Sequence, residues 1–211
     1  MALTREENLF LAKKLFTELV FNTAYIEGIN VTFPQTQAIL DGAVVNNVSV
    51  DEIQTVLNLR DAWRYALSAI DAELNTEYIC KVNDYVSRNE SLAWGVIRSG
   101  IVGVSGTDYI PSIPDPQEVE KDLERIREIP DARNRAVEYF CYSVHSQLFY
   151  DGNKRTSTIV SCKILIESGE GVLSIGKDIA VEFNDSLKKY YDTNDDTGLR
   201  DVLNRCIRNG F

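Results

Sequence analysis

Residues 145–156 read HSQLFYDGNKRT, and this stretch decides how the rest of the chain is read. Ahead of it Val137, Phe140, Cys141, Val144 and Leu148 recur at i, i+3, i+4, i+7 and i+11, the apolar stripe of an amphipathic helix. Asp151-Gly152-Asn153 breaks that pattern, and a new helix is predicted over Thr156 to Glu167, stopped by Gly169 and Gly171. A helix that starts on a glycine turn, with Lys154 and Arg155 close by, offers unpaired backbone N–H groups and the positive end of its macrodipole, so it favours an anion. Asp151 can hold Mg²⁺, an ion that prefers one or two carboxylates completed by substrate oxygens. The plainer alternative is a helix-turn-helix in which Asp151 or Asn153 caps and Gly152 turns.

Outward from this centre the pattern is mainly α. Leu9, Ala12, Leu15, Phe16 and Leu19 predict one helix running to Gly28, and Ile53, Val56, Leu57, Leu59, Trp63, Leu67 and Ile70 predict a second. The helical reading continues from Asp71 to Arg88, and further helices are predicted over Pro116 to Ile129, Arg133 to Leu148 and Asn184 to Tyr191. YYDTNDDTG, residues 190–198, reads as a solvated polar loop. Residues 99–114, SGIVGVSGTDYIPSIP, combine β-branched residues with three glycines and two prolines and predict a short β-hairpin or extended flap.

The 211 residues, 44% hydrophobic and 26% charged, suit one globular domain. A formal net charge of −10 repels a nucleic-acid backbone or an anionic bilayer, which excludes both as expected partners. A nucleotide would need a local cationic site against that background. Cys80, Cys141, Cys162 and Cys206 are scattered, without the close pairing of zinc or redox sites. The N-terminal MALTREENLFLAKKLF lacks a secretory apolar region, and no run reaches membrane-spanning length, so a reduced, cytoplasmic protein is expected.

Phe149, Asp151, Gly152, Asn153 and Arg155 fit H-x-F-x-[D/E]-G-N-x-R, and the stretch resembles the signature of the Fic/Doc family. Thr23-Ala24-Tyr25-Ile26-Glu27-Gly28 looks like the inhibitory motif [S/T]-x-x-x-E-[G/N] of Fic proteins, and Trp94 to Pro114 is similar to the segment holding the family's flap. The resemblance covers roughly residues 10 to 170. It implies a Fic fold, a helical bundle with a small β-hairpin flap, as a single domain over 1–211: an inhibitory helix in 1–30, the flap in 99–114 and the signature helix-loop-helix in 133–169. Residues 172–211 remain an extension of unknown role.

The resemblance further implies ATP or a related nucleotide, Mg²⁺ at Asp151, and phosphates at Gly152, Asn153, Lys154 and Arg155. AMP would pass to a Ser, Thr or Tyr hydroxyl of a protein held by strand addition along the flap, at Ile101, Val102, Val104 and Tyr109. Glu27 would obstruct the terminal phosphates, and a homo-oligomer is possible.

Two positions depart from the family pattern. Gln147 stands where the base His belongs, and a carboxamide can orient a hydroxyl but not take its proton. His145, the one histidine of the chain, lies two residues earlier, roughly 200° around a regular helix, so it reaches the cleft only through a local distortion. Thr158 replaces the second Arg that the inhibitory Glu usually pairs with, which leaves Arg155 or Lys154 for Glu27 and brings GNKRTS closer to the family's death-on-curing toxin branch, which acts as a protein kinase and keeps the motif His. Three functions therefore stand: a protein adenylyltransferase, a weak or inactive nucleotide- or protein-binding pseudoenzyme, and a protein kinase.

Overall fold

A computed structural model describes residues 3–210, which form ten helices and two short strands. In chain order the helices are α1 (Arg5–Lys14), α2 (Phe16–Tyr25), α3 (Phe33–Leu40), α4 (Val50–Ser68), α5 (Thr76–Val86), α6 (Pro116–Arg127), α7 (Ala132–Ser146), α8 (Asn153–Glu167), α9 (Ala180–Thr193) and α10 (Thr197–Arg205). Strands β1 (Val172–Leu173) and β2 (Ile207–Arg208) pair antiparallel, with Val172 opposite Arg208 and Leu173 opposite Ile207.

The mainly α expectation holds, and α8 is its axis. Ile159, Val160, Cys162, Ile164, Leu165 and Ile166 are all fully buried, and Thr156, Ser157, Ser161 and Lys163 are buried with them, so this helix is enclosed on every side. It packs most extensively on α7 and also meets α1, α2, α4, α5 and β1. Caps fix the starts of the surrounding helices: Thr4 with Glu7, Thr32 with Gln35 and Ser49 with Glu52 form capping boxes on α1, α3 and α4.

Several elements differ from the expected ones. The single N-terminal helix breaks at Leu15 into α1 and α2 because each half has its own partner. Asn8 of α1 donates to the carbonyls of Leu165 (3.3 Å) and Gly171 (2.9 Å), while α2 packs against α3 and α4. The helix expected from Asp71 starts only at Thr76, where Asn75 caps by accepting from the Tyr78 N–H. Residues 190–198 are mostly helical, the end of α9 and the start of α10, joined at Asn194 in a left-handed conformation (φ 58°). Helix α3 carries a weak stripe and no expectation covered it.

Residues 99–114 form no regular strand, and the two strands lie at 172–173 and 207–208. The flap is an extended loop crossed by a bond from the Val104 N–H to the Tyr109 carbonyl (3.3 Å) and turned at Gly106 (φ 77°). Its glycines and prolines supply too few cross-strand pairs for a ladder. Side chains still alternate between exposed and half-buried from Ile101 to Val104, as an extended chain requires.

Candidate functional site

Helix α7 ends at Ser146, and Gln147 follows in the left-handed region (φ 45°, ψ 61°). Only three residues of spare length then separate this point from the Asp151-Gly152 turn that starts α8. Gly152 is required there twice over. Its φ is +73°, and an added Cβ would lie 2.3 Å from Ser87 Oγ and 2.7 Å from Val86 Cγ1. The Asp151 carbonyl accepts from Asn83 Nδ2 (3.0 Å) and Ser87 Oγ (3.0 Å), which ties the turn to α5. Asn153 closes the loop from inside, accepting from the Phe149 N–H (3.0 Å) and donating to the Phe149 carbonyl (2.9 Å).

No side chain caps α8, and its first residues Asn153 and Lys154 line a cleft of about 660 Å³. The walls come from four places: the turn after α2 (Tyr25 to Gly28), the flap (Gly103 to Thr107), the signature turn, and Asn184, Leu187, Lys188 and Tyr191 of α9. The expected residues Glu27, Val104, Gln147, Asp151, Asn153 and Lys154 all line this one cavity.

Glu27 sits on the turn that ends α2, where Gly28 has φ +82° and the Ile29 N–H reaches back to the Ala24 carbonyl (3.2 Å). Thr23, the first residue of the motif, accepts from the buried Trp63 indole (3.3 Å) and so seats the end of α2. The Glu27 carboxylate lies 3.8 Å from both Lys154 Nζ and Arg155 Nε, and Lys154 also donates to the Ile26 carbonyl (3.0 Å). Glu27 thus reaches the start of α8, as its motif implied.

Arg155 lies beneath the cleft floor, 2% exposed. Its Nη1 pairs with Glu90 at 2.6 Å and its Nη2 with Asp151 at 3.1 Å. Burial opposes its charge, but Glu27, Glu90 and Asp151 together outweigh that and strengthen the guanidinium's hold on its proton. Arg155 Nε and Glu27 Oε2 are both buried without a hydrogen-bond partner, facing each other across a gap too long for a bond.

For Mg²⁺ the fit rests on Asp151. Its Oδ1 accepts from the Gly152 N–H (2.6 Å) and its Oδ2 from Arg155, which leaves lone pairs on a side chain 41% exposed to the cleft. Among the described residues no group of three or more His, Cys, Asp or Glu side chains could hold a metal. One carboxylate completed by phosphate oxygens is nevertheless a normal Mg²⁺ environment.

The two candidates for the base separate cleanly. Gln147 faces the cleft: its Nε2 donates to the Val144 carbonyl (2.7 Å) and to Tyr191 Oη (3.1 Å), and its Oε1 accepts from Asn153 (3.0 Å). His145 lies outside that cavity, stacked on Tyr190 (centroids 4.5 Å) and against the tilted ring of Tyr109 (4.6 Å), with Nδ1 3.0 Å from Tyr109 Oη. Burial lowers its pKa, with Asp196 pulling the other way. The turn at Gln147 redirects the chain after His145 and not before it, so Gln147 lines the cleft and His145 does not. Tyr109, expected to face a target, turns inward onto His145 and Tyr191. Ile101 (75% exposed) points outward, and Val102 and Val104 are half-buried.

Sequence reasoning missed Glu90, Asn83, Arg98 and the α9 wall. The α9 residues had a signal, since Asn184, Leu187, Lys188 and Tyr191 share one helical face. The extension at 172–211 is therefore part of the site's frame, with α10 packed on α7 and β2 on β1.

No family model matches the chain. A protein adenylyltransferase Fic from Drosophila persimilis is 24% identical over 188 residues, which cover 83% of this chain and 36% of that protein. Among solved structures, Fic-1 from C. elegans aligns with a TM-score of 0.75 and 22% identity over 90% of this chain and 59% of that one. The chain has the Fic fold. BepC, a VirB-translocated effector from Bartonella tribocorum solved with bound AMPPNP, shares this Fic fold more distantly, with a TM-score of 0.55 and 11% identity over 73% of this chain and 86% of that one. The Drosophila relative and the C. elegans neighbour both bear the name Fic, so the family resemblance drawn from the signature holds. The chain spans about a third of the length of the curated relatives it matches. Among the described residues, no helix of this Fic fold is long and apolar enough to cross a membrane.

Proposed function

We propose that the cleft binds a nucleoside triphosphate with its phosphates against the first amides of α8, and that AMP passes from it to a protein hydroxyl slowly and under obstruction by Glu27. The observation that carries this reading is the uncapped start of α8 behind a glycine turn that admits no Cβ, with the unpartnered Arg155 Nε–H beside it. Phosphate oxygens are the natural acceptors for such donors. The AMPPNP bound to BepC supports a nucleotide of the ATP type.

Asp151 would hold Mg²⁺, whose charge helps neutralise the phosphates. Transfer forms a bond from the target oxygen to the α-phosphorus, breaks the bridging bond to the β-phosphate and releases pyrophosphate. The hydroxyl proton needs a base, and Gln147 is a neutral amide already bonded to Asn153, Val144 and Tyr191. A missing general base costs about 10²–10⁴ in rate, so binding survives better than turnover. Glu27 stands where an incoming phosphate would compete for Lys154 and Arg155. An extended target segment would add along the flap at Ile101, Val102 and Val104.

Calorimetry with Mg·ATP and label transfer from ATP in a cell extract test this. Glu27→Gly is expected to bind more tightly than the native chain. Adding Gln147→His is expected to raise transfer by about 10² or more. Adding His145→Gln to Glu27→Gly is expected to leave transfer in place, and its loss would return the base to His145. A Glu27→Gly chain that binds no Mg·ATP would overturn the reading.

A further inference from the structure

Arg155 is held from two sides, and only one of them belongs to the cleft. Asp151 and Glu27 line the cavity, whereas Glu90 does not. Glu90 lies behind the guanidinium, its side chain 17% exposed, with Oε2 2.6 Å from Arg155 Nη1 and Oε1 accepting from Asn58 Nδ2 at 2.7 Å. Asn58, itself 4% exposed, accepts from Gln54 (2.8 Å) and donates to the Arg88 carbonyl (2.8 Å). The Val86 carbonyl also accepts from Nη1, at 3.4 Å. The guanidinium plane is thus clamped at Nη1 by a chain of bonds running back into α4 and α5. Its remaining donor edge, Nε–H, is the group left unpaired toward Glu27.

We infer that Glu90 is a positioning residue for the nucleotide site, the fixed counter-ion that aims Arg155 Nε–H at a phosphate oxygen. The inference rests on the proposed nucleotide reading. A ligand that recruits Asp151 to a metal and displaces Glu27 removes two of the three carboxylates from Arg155. Glu90 is the one that stays, because nothing in the cleft reaches it. Without it a long flexible cation, already buried, would follow Asp151 or Glu27. Planar guanidinium recognition depends on orientation, so the lost aim costs affinity even though a negative charge has gone.

That last point gives the test its sign. Simple electrostatics says that Glu90→Gln, which removes a negative charge, tightens the binding of a polyanion. Positioning says that it loosens binding. Calorimetry in the Glu27→Gly background is expected to show Glu90→Gln weakening Mg·ATP by about 10- to 100-fold, the worth of one charge-assisted hydrogen bond, while adenosine, which has no phosphates, binds unchanged. In a Glu27→Gly, Arg155→Ala chain, Glu90→Gln is expected to add no further loss. Unchanged or tighter Mg·ATP binding would overturn the inference while leaving the proposed function standing. Failure of Glu27→Gly itself to bind Mg·ATP would overturn both. If Glu90→Gln does not melt cooperatively, Asn58→Ala, which keeps the carboxylate but removes an anchor, is expected to weaken Mg·ATP in the same direction, and an unchanged affinity there sinks the inference equally.

Discussion

The signature turn at 149–153 and the flap at 99–114 both face the cleft, yet they are built in opposite ways. The turn is over-determined: its Asp151 carbonyl is held by Asn83 of α5 and by Ser87 just after it, Asn153 bridges it internally, and Gly152 has no room for a methyl group. The flap is fastened at its root by Arg98 and near its middle by Tyr109, and between those points two backbone bonds, from the Val104 N–H to Tyr109 and from the Thr107 N–H to Val104, close its turn. The contrast suits two kinds of ligand. Phosphates have one geometry and reward a preorganised cradle, whereas protein segments vary and reward a pliable edge.

The strongest way to break this contrast is Gly152→Ala. A Cβ at +73° meets Ser87 and Val86 in a turn that cannot easily retreat, because Ser87 is also one of its two anchors. The expected cost is about 2–4 kcal/mol, a drop in melting temperature on the order of 10 °C. A variant that melts like the native chain would mean the turn is as yielding as the flap.

Arg98→Met tests the other side. Arg98 is 1% exposed and, among the described residues, pairs with no carboxylate; it donates to the carbonyls of Gly100, Ser112, Ser146 and Gln147. It therefore neutralises the C-terminal end of α7 and pins both ends of the flap to it. Burial lowers its pKa without taking away its charge at neutral pH. Its loss strands several carbonyls and is expected to cost roughly 1–3 kcal/mol. Amide exchange should accelerate over 99–114 far more than over 151–156, and equal acceleration in both would show that the two regions open together.

The same contrast explains what could be read from the sequence. The turn was legible because a glycine forced by φ, an acid and two cations fall within five residues, and local chemistry has local signatures. The flap was legible as extended chain from its glycines, prolines and β-branched residues, but not as a loop without a ladder, since pairing depends on partners elsewhere. Glu90 and Arg98 were not legible at all. Glu90 lies 65 residues from Arg155 in sequence, and a buried ion pair of that span leaves no periodic trace. The break at Leu15 was equally hidden, for no glycine or proline marks it and only the different partners of α1 and α2 require it. Helical geometry put His145 and Gln147 on different flanks of one regular helix, whereas in the structure Gln147 has already left the helix.

The smallest effects sharpen how the flap is fastened. Tyr109→Phe removes the hydroxyl that sits 3.0 Å from His145 Nδ1 and 3.1 Å from its carbonyl while keeping both ring stacks, so about 1 kcal/mol or less is at stake. Exchange should rise modestly at Val104 to Tyr109. His145 adds a pH dependence of defined sign. The groups around it are Tyr109, Tyr190, Tyr191 and Asp196; the tyrosines stay neutral near pH 6, and burial lowers the folded pKa below the ordinary 6.5 despite Asp196. The unfolded chain then takes up the proton first as pH falls, so this contribution to stability is complete above about pH 6.5 and is lost as pH drops through the lowered folded value. Protection factors over 104–109 should therefore decline below pH 6.5 in the native chain and stay level in His145→Gln. A decline of the same size in both would assign the pH sensitivity to the carboxylates and leave the aromatic stack as the flap's fastening at every pH.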